Sequence, residues 1–164
     1  MNPGAAWAVA SPMLEVQVQY GLPRAGWPAA PGLHRAAHAA WRGGRVAQVV
    51  LRLVDVAESE RLNREFRGRK GPTNVLSFPA PAEASPPGTP PFLGDIVLCA
   101  PVIAREAQEQ CKALGAHFAH LVVHGMLHLQ GLDHQTPQEA EAMEAIERQI
   151  LDGLGYPDPY DEQP

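Results

Sequence analysis

His124-Gly-Met-Leu-His128-Leu-Gln-Gly131-Leu-Asp-His134 closes an apolar run over residues 116–130 and decides how the rest of the chain is read. The run is apolar enough for a buried helix. Gly131 suits the position just past its end, because glycine accepts φ > 0. His124 and His128 are four residues apart, so both rings leave the same helical face. A sharp turn at Gly131 brings His134 back toward them as a third nitrogen. Neutral imidazole is a common metal ligand, and three protein ligands with an open fourth position are the layout of a catalytic zinc.

The spacing H-x-x-x-H-x-x-G-x-x-H is also that of the metzincin proteases, in which Glu follows the first His as general base. Gly125 stands at that position here and cannot take a proton, so the ligand frame is present and peptidase chemistry is not expected. Among the neighbours, His120 lies on the same stripe as His124 and His128. It is a candidate to orient a ligand ring from behind the metal or a polar face residue, with a fourth ligand the less favoured reading. Asp133 is either a partner for the free nitrogen of a ligand ring or a turn residue. His117 reads as helix surface. His34 and His38 form another i, i+4 pair, but beside Arg35 and Arg42 they read as solvated.

Upstream, LEVQVQY (14–20) alternates as a half-buried strand, and residues 31–42 place Leu33, Ala36, Ala37, Ala40 and Trp41 on one helical face. RVAQVVLRLV (45–54) is a β-branched strand. Asp55 and Glu58 suggest a capping box opening a helix to about Phe66. TNVLSFP (73–79) and LGDIVLC (93–99) are further strands. Between them the proline-rich 79–91 must be an exposed loop, since proline cannot extend a central ladder. Pro101 opens a helix to about Leu114. Downstream, Thr136, Pro137 and Glu139 form a strong helix start, after which Met143, Ile146, Ile150 and Leu151 face inward and the acids outward. The sum is an α+β single domain: about four strands in a mixed sheet, four to five helices and a zincin-like three-histidine site.

The 164 residues and 17.7 kDa fit one domain, expected over residues 13–155. Residues 1–12 read as a loose or misannotated extension, with Met13 an alternative start, and residues 156–164 as a C-terminal tail. No apolar run approaches the roughly 20 residues of a membrane span, and the first residues carry no basic region of a secretory signal. The expected location is cytoplasmic, where Cys99 and Cys111 would be reduced, buried or half-buried thiols. The net charge of −5 is unevenly spread. Residues 135–164 hold eight acids against Arg148 alone, net −7, so the remainder carries +2. Arg61, Arg64, Arg67, Arg69 and Lys70 concentrate five cations in ten residues. Arg67, where the chain leaves a helix for a strand, could hold a phosphate bidentately. No run of interleaved aromatics offers a platform for stacked bases.

Two segments, FRGRKGPTNVLSFP and HGMLHLQGLDH, together resemble the YbeY family, bacterial endoribonucleases of ribosomal RNA maturation. Every fixed position of H-G-x-L-H-L-x-G-x-D-H is met, and a G-D-I strand (Gly94, Asp95, Ile96) lies between the segments in the same order. The resemblance covers about residues 13–155. It implies a metal-dependent, single-strand-specific endoribonuclease acting late in maturation of small-subunit (16S) ribosomal RNA, including its 3′ end, and in ribosome quality control. It further implies one zinc, or another divalent ion such as nickel, on His124, His128 and His134. Arg67 would line the cleft and act with His124 in catalysis. Arg69, Lys70 and Thr73 are the expected RNA contacts, and the small ribosomal subunit with its assembly factors the expected partners, with no membrane. Departures lie at Lys70 and Gly71, where the family's charge order is changed, at Leu132 in place of a common aromatic, and in the long proline-rich loop. Two rivals remain: a non-catalytic assembly module with a structural zinc, which would want a fourth protein ligand such as His120 or Asp133, and a metallohydrolase of another phosphoester.

Overall fold

The computed structural model describes residues 14–161, so the extension expected over residues 1–12 lies outside them. The element order is β1 (Leu14–Tyr20), α1 (Ala30–Ala40), β2 (Ala47–Val54), α2 (Val56–Arg67), β3 (Val75–Pro79), β4 (Phe92–Cys99), α3 (Ala100–Glu109), α4 (Leu114–Leu129) and α5 (Pro137–Gly153). The sheet runs β1-β2-β4-β3, with β1, β2 and β4 parallel and the edge strand β3 antiparallel to β4. The expected α+β domain is therefore present: one four-stranded mixed sheet with five helices.

The strands explain the layering. Ala47, Val49, Leu51 and Leu53 of β2 alternate toward one face and are at most 1% exposed. That face is covered by α1, α4 and α5, whose Leu33, Phe118, Val122, Met126, Met143 and Leu151 complete the main core. A smaller core of Leu76, Val97, Cys99 and Val102 sits between the other face and the α2–α3 side. Helix α4 lies centrally in the larger layer and is buried along most of its length, which is why its sequence is apolar nearly all round.

Several local readings are corrected. His117 is 4% exposed, not surface, because Glu106 of α3 meets its ring. Glu147 faces inward and is 0% exposed, against the expectation that the acids of α5 point out. Cys99 is buried, but Cys111 is exposed, at a backbone φ of 55°. The Asp55 carboxylate does accept from the Glu58 N–H at 2.9 Å, yet Glu58 turns away to Arg52 at 2.7 Å, so no reciprocal box forms there. The box at Thr136 and Glu139 is complete. The proline-rich connection is exposed almost throughout and holds one short 3₁₀ turn, Ala82–Ala84.

Candidate metal centre

Helix α4 carries His120, His124 and His128 on successive turns and ends as expected. Gly131 adopts φ 95°, its N–H donates to the His128 carbonyl, and the Leu132 N–H reaches back to the Leu127 carbonyl at 3.1 Å. The reversed chain delivers His134. One nitrogen from each of His124, His128 and His134 lies within 4.8 Å of the others. The facing Nε2 atoms of His124 and His128 are 3.1 Å apart. A tetrahedral zinc at its usual Zn–N distance of roughly 2.0–2.1 Å wants nitrogens about 3.3–3.4 Å apart, so the pair fits to within a few tenths of an ångström. Burial, then the neighbouring His124 and His134, hold the His128 pKa below its ordinary value, which keeps that ring neutral and ready to ligate.

No fourth His, Cys, Asp or Glu joins this group among the described residues. Asp133 is occupied in its own turn, accepting from the His134 N–H at 2.7 Å. His120 points its Nε2 at the Tyr160 hydroxyl, 3.1 Å away. The donor set is thus three imidazoles with room for a fourth, exchangeable ligand.

Behind the triad stands a carboxylate that sequence reading misses. Glu147 Oε2 accepts from His124 Nδ1 at 2.7 Å. That contact leaves the His124 Nε2 lone pair directed at the other two imidazoles. Glu147 Oε1 accepts from the Tyr160 hydroxyl and lies 3.5 Å from His120 Nε2. Burial would raise the Glu147 pKa, but the hydrogen bonds from His120, His124 and Tyr160 outweigh it and hold the carboxyl at about 2. The Tyr160 hydroxyl is pushed far up, by burial and by that carboxylate. Tyr160, within the stretch expected as a C-terminal tail, therefore folds back onto the site. The missed signal was present: Glu147 lies midway between Met143 and Leu151, four residues from each, on the inward stripe of α5.

Gly125 has a packing reason. A Cβ there would lie 2.9 Å from Ile96 Cγ2 and 3.1 Å from Ser77 Oγ. This position faces the sheet, so the glutamate of the proteases would not fit.

The basic segment is placed separately. Arg67, Arg69 and Lys70 are exposed at the end of α2 and in the loop after it, and none makes a hydrogen bond or ion pair with the triad among the described residues. Gly68, at φ 64°, caps α2. Two buried polar residues of α2 anchor the loop: Ser59 Oγ donates to the Thr73 carbonyl and accepts from the Thr73 N–H, and Asn63 Nδ2 donates to the Gly71 carbonyl at 2.9 Å. Strand β3 links this loop to the metal centre, since Ser77 Oγ lies 3.5 Å from the Gly125 carbonyl, beside His124. The bonds of the proline-rich loop go to itself and to Gln48, Phe92 and Leu93 rather than to the histidines.

The family model described as Endoribonuclease YbeY matches residues 33–155. The chain belongs to the YbeY family. Its similarity to curated YbeY proteins is spread over most of its length. It is 56% identical to the Endoribonuclease YbeY of Stenotrophomonas maltophilia strain K279a over 150 residues, covering 90% of this chain and 93% of the relative. It is 52% identical to that of Alkalilimnicola ehrlichii over 162 residues, covering 93% and 96%. The solution structure of TM1509 from Thermotoga maritima is similar in fold, with a TM-score of 0.50 and 21% identity over 89% of this chain and 99% of that one.

Proposed function

We propose that this YbeY-family chain is a metal-dependent, single-strand-specific endoribonuclease, that His124, His128 and His134 hold zinc, and that its substrate is the 3′ region of small-subunit ribosomal RNA. Membership of the family carries the coarser statement: a nuclease role in ribosomal RNA maturation. The observation that carries the finer reading is the three-imidazole set with no fourth protein ligand among the described residues, since a structural zinc would be closed by one. Bound there, a divalent ion supplies Lewis-acid chemistry, polarising a phosphoryl oxygen and lowering the pKa of water.

The chain's own residues do the rest. Glu147 fixes the tautomer and the orientation of His124. Arg67 offers paired N–H donors to the scissile phosphate and neutralises the charge that develops on it. Arg69, Lys70 and Thr73 follow the backbone on either side, from a loop that Ser59 and Asn63 hold still. The small ribosomal subunit and its assembly factors present the substrate, in the cytoplasm. Among the described residues no helix is long and apolar enough to cross a membrane.

The test is cleavage of a precursor RNA spanning that 3′ end, before chelation, after it, and after return of zinc or nickel. Loss on chelation and recovery with one ion supports the reading and names the ion. Undiminished cleavage by a chain shown to be metal-free overturns it.

A further inference from the structure

Among the described residues, Phe66 and Val56 are the exposed large hydrophobic residues, and Phe66 has 63% of its surface open. It sits at the end of α2 among the unmatched cations. A lone exposed phenylalanine is ordinary, but this one is held. Its ring meets Phe78 of β3 edge to face, with centroids 5.4 Å apart at 70°. Phe78 is itself half-buried against the smaller core. The aromatic pair is assembled by the fold from the helix and the edge strand, which is why no aromatic run in the sequence announces it.

The surroundings specify the occupant. Arg64, Arg67, Arg69 and Lys70, all within four residues of Phe66 in the chain, are exposed and have no carboxylate partner among the described residues, whereas Arg61 is paired with Glu65 at 3.5 Å. An exposed aromatic ring in a segment of free cations matches a nucleobase attached to a phosphate backbone. A protein partner would have to bring its own acids. The location fits as well. Phe78 carries Phe66 on one face of β3, and its neighbour Ser77 touches the Gly125 carbonyl on the other, next to His124. Since β3 is an edge strand, a single strand laid across its free edge passes from the platform toward the metal centre.

We infer that Phe66 is a base-stacking platform that positions single-stranded RNA for cleavage, Arg67 holding the adjoining phosphate. This inference rests on the RNA-cleavage reading and adds to it a subsite that takes any base, because every base has a π-face.

The test uses the full metal-loaded chain and two labelled single strands of equal length, an oligouridylate and an abasic ribose-phosphate strand, read by fluorescence anisotropy. One stacked base is worth about 1–3 kcal/mol, so Phe66→Ala should weaken oligouridylate binding by roughly 5- to 150-fold and leave the abasic strand unaffected. Phe66→Tyr should restore binding. In cleavage assays Phe66→Ala should raise KM with little change in kcat, because the contact is remote from the reacting bond. Thermal unfolding should be almost unchanged, given the exposure of the ring. Wild-type behaviour of Phe66→Ala on both strands, or equal loss on both, overturns the platform while leaving the nuclease reading intact. A wild-type chain that binds neither strand overturns both.

Discussion

Replacing Glu147 with Gln keeps the shape of the side chain and removes its charge. In the structure one carboxylate accepts from His124 Nδ1 through Oε2 and from Tyr160 through Oε1, with His120 Nε2 also facing Oε1 at 3.5 Å. An amide cannot accept on both sides. If its carbonyl oxygen faces His124, its NH2 meets the Tyr160 hydroxyl and His120; if it is flipped, NH2 meets the His124 N–H. Either way one hydrogen bond to the carboxylate is lost, which costs about 1–3 kcal/mol of stability. His124 also loses the anion that orients it and raises its basicity, and such partners typically contribute 10- to 100-fold to metal affinity. The expected result is therefore a 10- to 100-fold weaker zinc affinity for Glu147→Gln, measured by competition with a chromophoric chelator, together with a lower melting temperature of the metal-free chain. Glu147→Ala should be worse, since it also opens a cavity beneath fully buried packing. If Glu147→Gln binds zinc as tightly as wild type and melts at the same temperature, the role assigned to this carboxylate is wrong.

Four further outcomes follow from the same coordinates. Gly125→Ala should destabilise the fold by about 1–3 kcal/mol in denaturant titrations, because its Cβ must displace the Ile96 side chain from 2.9 Å; an unchanged midpoint would show that the helix–sheet approach is looser than described. Burial holds the Cys99 thiol above its ordinary pKa, so at pH 8 an alkylating reagent should modify Cys111 alone in the native chain and both thiols after unfolding. Because the unfolded chain gives up that Cys99 proton first, this residue's linkage should lower stability as pH rises above the ordinary thiol value, and Cys99→Ser should flatten that part of the profile. RNA affinity should fall linearly on a log–log plot against salt, and Arg69→Ala or Lys70→Ala should each reduce the slope by about 1 if the residue meets a phosphate; a slope that neither substitution alters would remove both from the interface.

The three-histidine cluster was legible because its information is local. An i, i+4 pair, a glycine that must turn and a third histidine three residues beyond it specify their own geometry, and α4 with Gly131 reproduces it. The sheet was legible for the same reason, from alternation in β1 and β2 and from proline exclusion between β3 and β4. What escaped was the identity of the partners. Glu147 reads as one more solvated acid until α5 is docked against α4. His117 reads as surface until Glu106 of α3 is laid beside it. Tyr160 sits in a proline-containing terminus with no periodicity, and only the return of residues 156–161 to the core gives its hydroxyl a role. The Phe66–Phe78 pair is likewise a contact between elements.

Joint action of the three histidines and Arg67 on RNA is the core of the proposed function. Its most direct measurement compares wild type, Arg67→Ala and His124→Ala, purified identically, on a precursor spanning the 3′ end of small-subunit ribosomal RNA, with bound metal quantified in each. Cleavage by wild type alone is expected, with metal retained in Arg67→Ala and lost or weakened in His124→Ala. Equal cleavage by all three proteins would contradict it, assigning the activity to a contaminant rather than to this site.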